Sequence, residues 1–411
     1  MMNDPLLHGL SVYIVGGAVR DRLLGLPIKD RDYVVVGTTA EEMQKRGFKS
    51  VGKDFPVFLH PKTKAEYALA RTERKAGRGY TGFEVYASPE VSLEEDLARR
   101  DLTINAIAED ANGQLIDPFN GQADLVAKQL KHVSPAFIED PVRILRLARF
   151  AGRFNFHVAP ETMRLMQQMV SEGEVDYLVA ERVWQEWAKG LMSDYPSKMV
   201  EILRDCGALA RLLPELDALF GVPQTAVHHP EIDTGKHTMM CLQMAVRLKA
   251  SLAERWAVLM HDVGKGLTPR ADWPRHIGHE QAGIALVTQI AERLRVPSEC
   301  RDLAVMACRE HLNIHRFDEL KHTTRLDLLS QCDAFRKPDR FKSLLKVCEA
   351  DARGRLGFEE QTYPQTEKWL SVLAAAQSVN SGQIAKACAT PDKIPDAIRM
   401  ARLDAIKQLG I

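Results

Sequence analysis

Two aspartates, Asp30 and Asp32, stand at the head of a Val-rich run in LPIKDRDYVVVG. In an extended chain alternate side chains share a face, so the two carboxylates converge. Like charges held side by side call for a cation, and carboxylates are natural ligands of the Mg²⁺ that bridges nucleotide phosphates. Just upstream, SVYIVGGAVRDRLLG reads as a buried strand, a Gly16-Gly17 turn and a helix beginning near Ala18, with Arg20 in its first turn. Paired glycines let backbone N–H groups approach a triphosphate, and the positive end of the helix favours the anion. Downstream come RRDLTINA, with Arg99, Arg100, Asp101 and Asn105, and EDPVRILRLARFAGRF, where Asp140 precedes Arg143, Arg146, Arg149 and Arg153. On a helical wheel these four arginines share about a third of the circle, opposite Ile144, Leu147, Ala148 and Ala151. One face packs; the other is cationic and suits phosphates and base edges.

A second concentration of chemistry lies far downstream. Most of the 13 histidines fall between His228 and His322. In VLMHDVGKG an apolar run delivers His261 and Asp262 to a glycine turn, where the carboxylate would otherwise be buried without a partner. Imidazole and carboxylate together suit a transition metal that activates water.

The elements that must position these groups are of two kinds. The first third has strand-like runs (Val12 to Val15, Tyr33 to Val36, Glu66 to Ala70, Glu84 to Tyr86) separated by turns and short helical patterns. From about Glu139 onward nearly every segment repeats its apolar residues at three and four, so the remainder is helical. The spacing predicts an α+β head over 1–138, a helical neck and body over 139–232, an all-helical histidine domain over 233–357 and a helical tail over 358–411. LFGVPQTAVHHPEIDTG reads as a linker, with a further boundary near Arg336 to Pro338.

Lys+Arg and Asp+Glu both number 55, giving a net charge of +0, so any polyanionic partner must be met by local patches. One is the arginine row; another is Lys62, Lys64, Arg71, Arg74, Lys75 and Arg78, running into the Gly-rich RTERKAGRGYTGF, which reads as a mobile loop over substrate. The 7 cysteines are scattered with no Cys-x-x-Cys pair, which argues against a disulfide framework or a thiolate zinc site and fits a reducing cytoplasm. No run approaches a membrane span and no basic n-region precedes an apolar one, so neither export nor anchoring is expected.

Taken in order, GGAVRD, the Asp-x-Asp of KDRDYVVVG, RRDLTINA and EDPVRILRLARF resemble the tRNA nucleotidyltransferase and bacterial poly(A) polymerase family, class II of the polymerase β-like superfamily. The likeness continues through the neck-like ERVWQEW. It implies that Asp30 and Asp32 hold catalytic Mg²⁺, that Gly17, Arg20, Arg100, Arg146 and Arg149 bind ATP or CTP, and that Asp140 with Arg143 reads the base. Glu66, in EYALA, is a candidate third carboxylate. The histidine region resembles the HD phosphohydrolase superfamily, which implies a metal held by His237, His261, Asp262 and Asp351, with His279 and His311 as further ligands and nickel, manganese or cobalt as the ion. The two together are similar to the gamma-proteobacterial members that add CCA to tRNA and also hydrolyse 2′,3′-cyclic phosphates, 2′-nucleotides and phosphomonoesters. Such an enzyme works as a monomer or homodimer. Poly(A) polymerase shares the first motifs but carries extra basic terminal sequence. An alarmone synthetase-hydrolase has the reverse domain order. An inactive RNA-binding module does not need the intact Asp30 and Asp32.

Overall fold

The computed structural model describes residues 4–51, 57–75, 83–227, 229–388 and 390–411. Arg78, the centre of RTERKAGRGYTGF and His228 lie outside the described residues. The chain divides into two compact units: Met1–Gly190 with Lys198–Leu212, and Leu191–Ser197 with Leu213–Ile411.

Among the described residues the first unit holds eleven strands: β1 (Ser11–Val15), β2 (Asp32–Val36), β3 (Lys49–Val51), β4 (Val57–Leu59), β5 (Glu66–Leu69), the antiparallel pair β6 (Arg71–Lys75) and β7 (Phe83–Ala87), β8 (Ala108–Glu109), β9 (Leu115–Ile116), and the short parallel pair β10 (Gln129–Leu130) and β11 (His157–Val158). Seven of them form one mixed sheet in the order β3-β4-β5-β2-β1-β8-β9. The YVVV run explains the central position of β2. Tyr33 and Val35 pack in a cluster with Met43, Phe48 and Phe58, while Val34 packs on the other face with Val15, Leu97 and Ala106. A strand covered on both faces cannot show polar alternation. The sequence expectation put Asp30 in this strand. Pairing begins only at Asp32, which leaves Asp30 in the coil just before it.

Helices α1 (Gly17–Leu23), α2 (Ala40–Lys45), α3 (Leu93–Ala98) and α4 (Gly121–Val126) pack around the sheet, followed by α5 (Val142–Phe154), α6 (Pro160–Ser171), α7 (Ala180–Leu191), α8 (Pro196–Asp205) and α9 (Ala208–Leu212). A capping box between Ser92 and Glu95 starts α3, so its end delivers Arg99 and Arg100 at a defined place. Helix α5 buries Ile144, Leu147, Ala148 and Ala151 completely, as its wheel requires, and stops where Asn155 turns to φ 55.

The second unit is helical: α10 (Pro214–Asp217), α11 (Thr234–Arg247), α12 (Leu252–Met260), α13 (His279–Arg293), α14 (Ser298–His315), α15 (His322–Gln331), α16 (Pro338–Arg353), α17 (Gln365–Gln377), α18 (Ser381–Ala387) and α19 (Ile394–Lys407). Helix α12 is buried from Ala253 to Met260, Trp256 included, so it forms the axis of this unit. The stretch 219–235, expected as a linker, is instead built into this unit. Pro223 bridges Asp233, Thr234 Oγ1 donates to the Val222 carbonyl, and Gln224 is buried. Its Pro and Gly content reflects tight turns. Among the described residues no helix is long and apolar enough to cross a membrane.

Candidate active sites

In the first unit a cleft of about 730 Å³ opens between the sheet end and helices α5 and α7. It gathers Gly16, Gly17, Arg20, Asp30, Asp32, Arg100, Asp101, Asn105, Asp140, Arg143, Arg146, Arg149 and Arg153, groups that stand up to 137 positions apart in the chain (Gly16 to Arg153). Its described lining has nine arginines and one lysine against four aspartates, so it strongly favours an anion. Asp30 and Asp32 are exposed to solvent at its edge. Glu66 sits beside Asp32 in the parallel register of β2 and β5 but does not line the cleft.

A network sets the arginines. Arg20 is 3 % exposed; it donates to Asp21 at 2.7 Å and to Asn105 Oδ1 at 2.5 Å, and lies over the rings of Phe150 and Phe154, each at 5.0 Å. Asn105 in turn donates to Asp101 Oδ1 at 2.9 Å, and Arg146 Nε donates to Asp101 Oδ2 at 2.9 Å. Burial raises the Asp101 carboxyl, but Arg146 and the Asn105 hydrogen bond outweigh it and hold the group at about 2. Asp96, fully buried, accepts from Arg99 at 2.8 Å and Arg100 at 3.1 Å. Gly16 has φ 70, and a Cβ there would meet Arg100 Nη1 at 3.0 Å. Glycine therefore lets that guanidinium lie against the turn.

The sequence pairs Asp140 with Arg143. Both line the cleft, but they are held by different partners. Arg143 donates to the carbonyls of Ala136 and Arg99, each at 2.7 Å, which fixes its plane. Asp140 accepts from Arg182 at 2.9 Å, and Arg149 Nε donates to Glu186 at 2.5 Å. Arg182, Glu186 and Lys189 were not singled out in the sequence. Their spacing on α7, opposite the buried Val183, Trp184 and Trp187, is the signal that could have found them.

In the second unit, α11, α12, α13, α14 and α16 bring the histidines together. His237 Nε2 lies 3.0 Å from Asp351 Oδ1, and His261 Nε2 lies 3.7 Å from the same oxygen. His261 Nε2 is 3.3 Å from Asp262 Oδ2, while Asp262 Oδ1 is 3.4 Å from His279 and 3.6 Å from His311. Two trios thus form, His237-His261-Asp351 and Asp262-His279-His311, each with its ligand atoms within 4.8 Å of one another and all six residues buried. Asp262 Oδ1 and His261 Nε2 have no hydrogen-bond partner among the described residues. Buried lone pairs of this kind fit a metal ion. Burial drives His311 down to about 3, so its imidazole is neutral and able to ligate. Burial opposes ionisation of Asp262, yet Lys265 and His261 hold its carboxyl well below the usual range. Around the trios, Glu231 accepts from His237 Nδ1 at 2.9 Å, and His315 Nε2 donates to Asp351 Oδ2 at 2.7 Å.

The class follows from these two sites. Residues 12–131 match the Poly A polymerase head domain, residues 155–220 the probable RNA and SrmB-binding site of polymerase A, and residues 234–337 the HD domain. The chain is therefore a nucleotidyltransferase joined to an HD domain. It is 59% identical to the multifunctional CCA protein of Ralstonia nicotianae over 99% of this chain and 97% of that one, and 62% identical to that of Chromobacterium violaceum over 97% and 98%. It belongs to the multifunctional CCA protein family, whose enzymes are CCA-adding nucleotidyltransferases carrying an HD domain. Its fold resembles the Bacillus stearothermophilus CCA-adding enzyme in complex with CTP (TM-score 0.66, 22% identity, 98% of this chain and 91% of that one). It also resembles the Thermotoga maritima CCA-adding enzyme complexed with tRNA (TM-score 0.60, 21% identity, 97% and 88%).

Proposed function

We propose that the cleft of the first unit adds or repairs the terminal CCA of tRNA from CTP and ATP in the cytoplasm. Asp30 and Asp32 would hold Mg²⁺ there. When bound, the ion lowers the pKa of the RNA 3′-hydroxyl and neutralises the departing pyrophosphate. The hydroxyl oxygen attacks the α-phosphorus and the bond to pyrophosphate breaks, with no covalent enzyme intermediate. Arg20, Arg100, Arg146 and Arg149 clamp the triphosphate beside Gly17. Asp140 and Arg143 read the base: the carboxylate accepts from the exocyclic amine of C or A, and the guanidinium donates to the ring nitrogen, a pattern that U and G reverse. Fixing Arg143 on two carbonyls suits a template that must not bend. The observation that carries this reading is the convergence of Asp30, Asp32 and the arginines in one cleft. Its test is incubation with tRNA transcripts ending before, within and after CCA, with CTP and ATP supplied singly and together. Addition stops after CCA if the reading holds, and continued adenylation marks a poly(A) polymerase.

The second unit would be a metal-dependent phosphohydrolase. His237, His261, Asp262 and Asp351 would hold the ion, with His279 and His311 completing a second set about the shared Asp262. Nickel, manganese or cobalt suits these donors, and the substrates would be 2′,3′-cyclic phosphates, 2′-nucleotides and phosphomonoesters. The carrying observation is the pair of buried trios. Hydrolysis of bis(p-nitrophenyl) phosphate by the chelated protein, with each metal restored in turn, tests it.

A further inference from the structure

Beside the trios lies a cavity of about 560 Å³, lined in part by Gln224, Lys265, His279, Arg275, Arg316 and Arg355. Gln224 is only 4 % exposed, and its Oε1 accepts from Lys265 Nζ at 2.6 Å. The same ammonium donates to Asp262 Oδ2 at 2.6 Å, which ties the amide to the metal-binding set. An ammonium only donates, so the amide oxygen is the atom that faces it. That leaves Nε2 as a buried donor, and it has no partner among the described residues. Nε of Arg355 is buried and lacks a hydrogen-bond partner in the same way. Arg275, Arg316 and Arg355 form no ion pair with any described residue. Unmet buried donors are costly, so these call for an acceptor from outside the chain.

The charge indicates which acceptor. A single cyclic phosphate carries one negative charge, and it belongs at the metal. Three guanidiniums are left over, and guanidinium pairs best with further phosphate. We propose that this cavity is a subsite for the phosphodiester that precedes the scissile phosphate, so that the hydrolase takes the 3′ end of a polynucleotide in preference to a free mononucleotide. Gln224 Nε2 and Arg355 Nε donate to the non-bridging oxygens of that phosphodiester. Arg275 and Arg316, exposed at the rim, meet the next one along the strand. The assignment rests on the phosphohydrolase reading of the trios.

The test uses the full-length metal-loaded protein with uridine 2′,3′-cyclic phosphate and with UpUpU ending in the same cyclic phosphate. The trimer should show a kcat/KM higher by about tenfold or more, expressed in KM, as one or two charge-assisted hydrogen bonds supply. Gln224→Glu keeps the oxygen that Lys265 needs and removes the donor. It and Arg355→Gln should each bring the trimer-to-monomer ratio towards one. Arg275→Ala with Arg316→Ala alters only exposed side chains and should lower the ratio and its salt dependence together. Equal efficiency of the two substrates in the wild type would overturn the subsite, as would a ratio that survives in all three variants. Tighter competitive inhibition by ATP than by UpUpU would overturn the assignment to a polynucleotide. If the wild type hydrolyses neither uridine substrate nor bis(p-nitrophenyl) phosphate, the phosphohydrolase reading itself falls, and the subsite with it.

Discussion

The cleft of the first unit and the histidine cluster of the second both gather carboxylates suited to a metal, yet they do so in opposite ways. Asp30, in the coil before β2, and Asp32, its first residue, are exposed and are surrounded by arginines that a hydrogen-bonded network holds in place. Asp262 and Asp351 are buried among histidines on four helices, and every one of the six candidate ligands is enclosed. An exposed carboxylate pair has little affinity of its own and suits an ion that arrives with the nucleotide phosphates. An enclosed set of imidazoles and carboxylates suits an ion that stays. On the proposed reading, the cleft exchanges substrate and metal together, while the cluster retains its metal through many turnovers.

That contrast can be broken most severely at the cluster. His261→Ala or Asp262→Ala should lower phosphodiester hydrolysis by about a hundredfold or more, because metal catalysis supplies several kcal/mol. Retained metal and retained hydrolysis in either variant would show that the trios are not the site. At the cleft, Asp140→Ala and Arg143→Ala should raise incorporation of UTP and GTP relative to CTP and ATP by about 1 to 3 kcal/mol, or roughly five- to 150-fold. Unchanged ratios in both would remove this pair as the template and turn attention to Arg182. Asp101→Asn addresses the network itself. Folding lowers the Asp101 carboxyl from 3.8 to about 2. The wild type therefore holds about 2 kcal/mol of stability from this group above pH ~4, lost as pH falls towards ~2. Denaturant titration of the two proteins should show that gap at neutral pH and its closure in acid, and a pH-independent gap would assign the effect to packing instead. The smallest effect is expected from Glu231→Gln, which leaves the ligands in place but loosens His237. Metal affinity should fall about tenfold, read by competition with a chelator.

How much of this was legible in the sequence depended on whether a residue's neighbours are close along the chain. The arginine face of α5, the strand positions and the His-Asp pair follow from periodicity and local chemistry, and the structure keeps them. The tie from Arg182 to Asp140 spans 42 positions, and the one from Arg143 to the Arg99 carbonyl spans 44. Neither leaves a local pattern, so the sequence, which offers Asp140 and Arg143 as a base-reading pair through the family resemblance and their spacing of three, is silent on the groups that hold each of them. The stretch 219–235 misled for a different reason. Proline and glycine mark turns whether the turn is exposed or buried, and only the burial of Gln224 and Thr234 shows that this one is part of the wall.

The most direct test of two independent metal sites in one chain is to measure both activities in each of Asp30→Ala, Asp32→Ala and Asp262→Ala. The substrates are a tRNA transcript lacking CCA with CTP and ATP, and bis(p-nitrophenyl) phosphate. The account predicts that the first two variants lose all but less than about a tenth of incorporation and keep hydrolysis, and that the third keeps incorporation and loses hydrolysis. Incorporation above that level in both cleft variants, or loss of both activities in a folded Asp262→Ala protein, would contradict it.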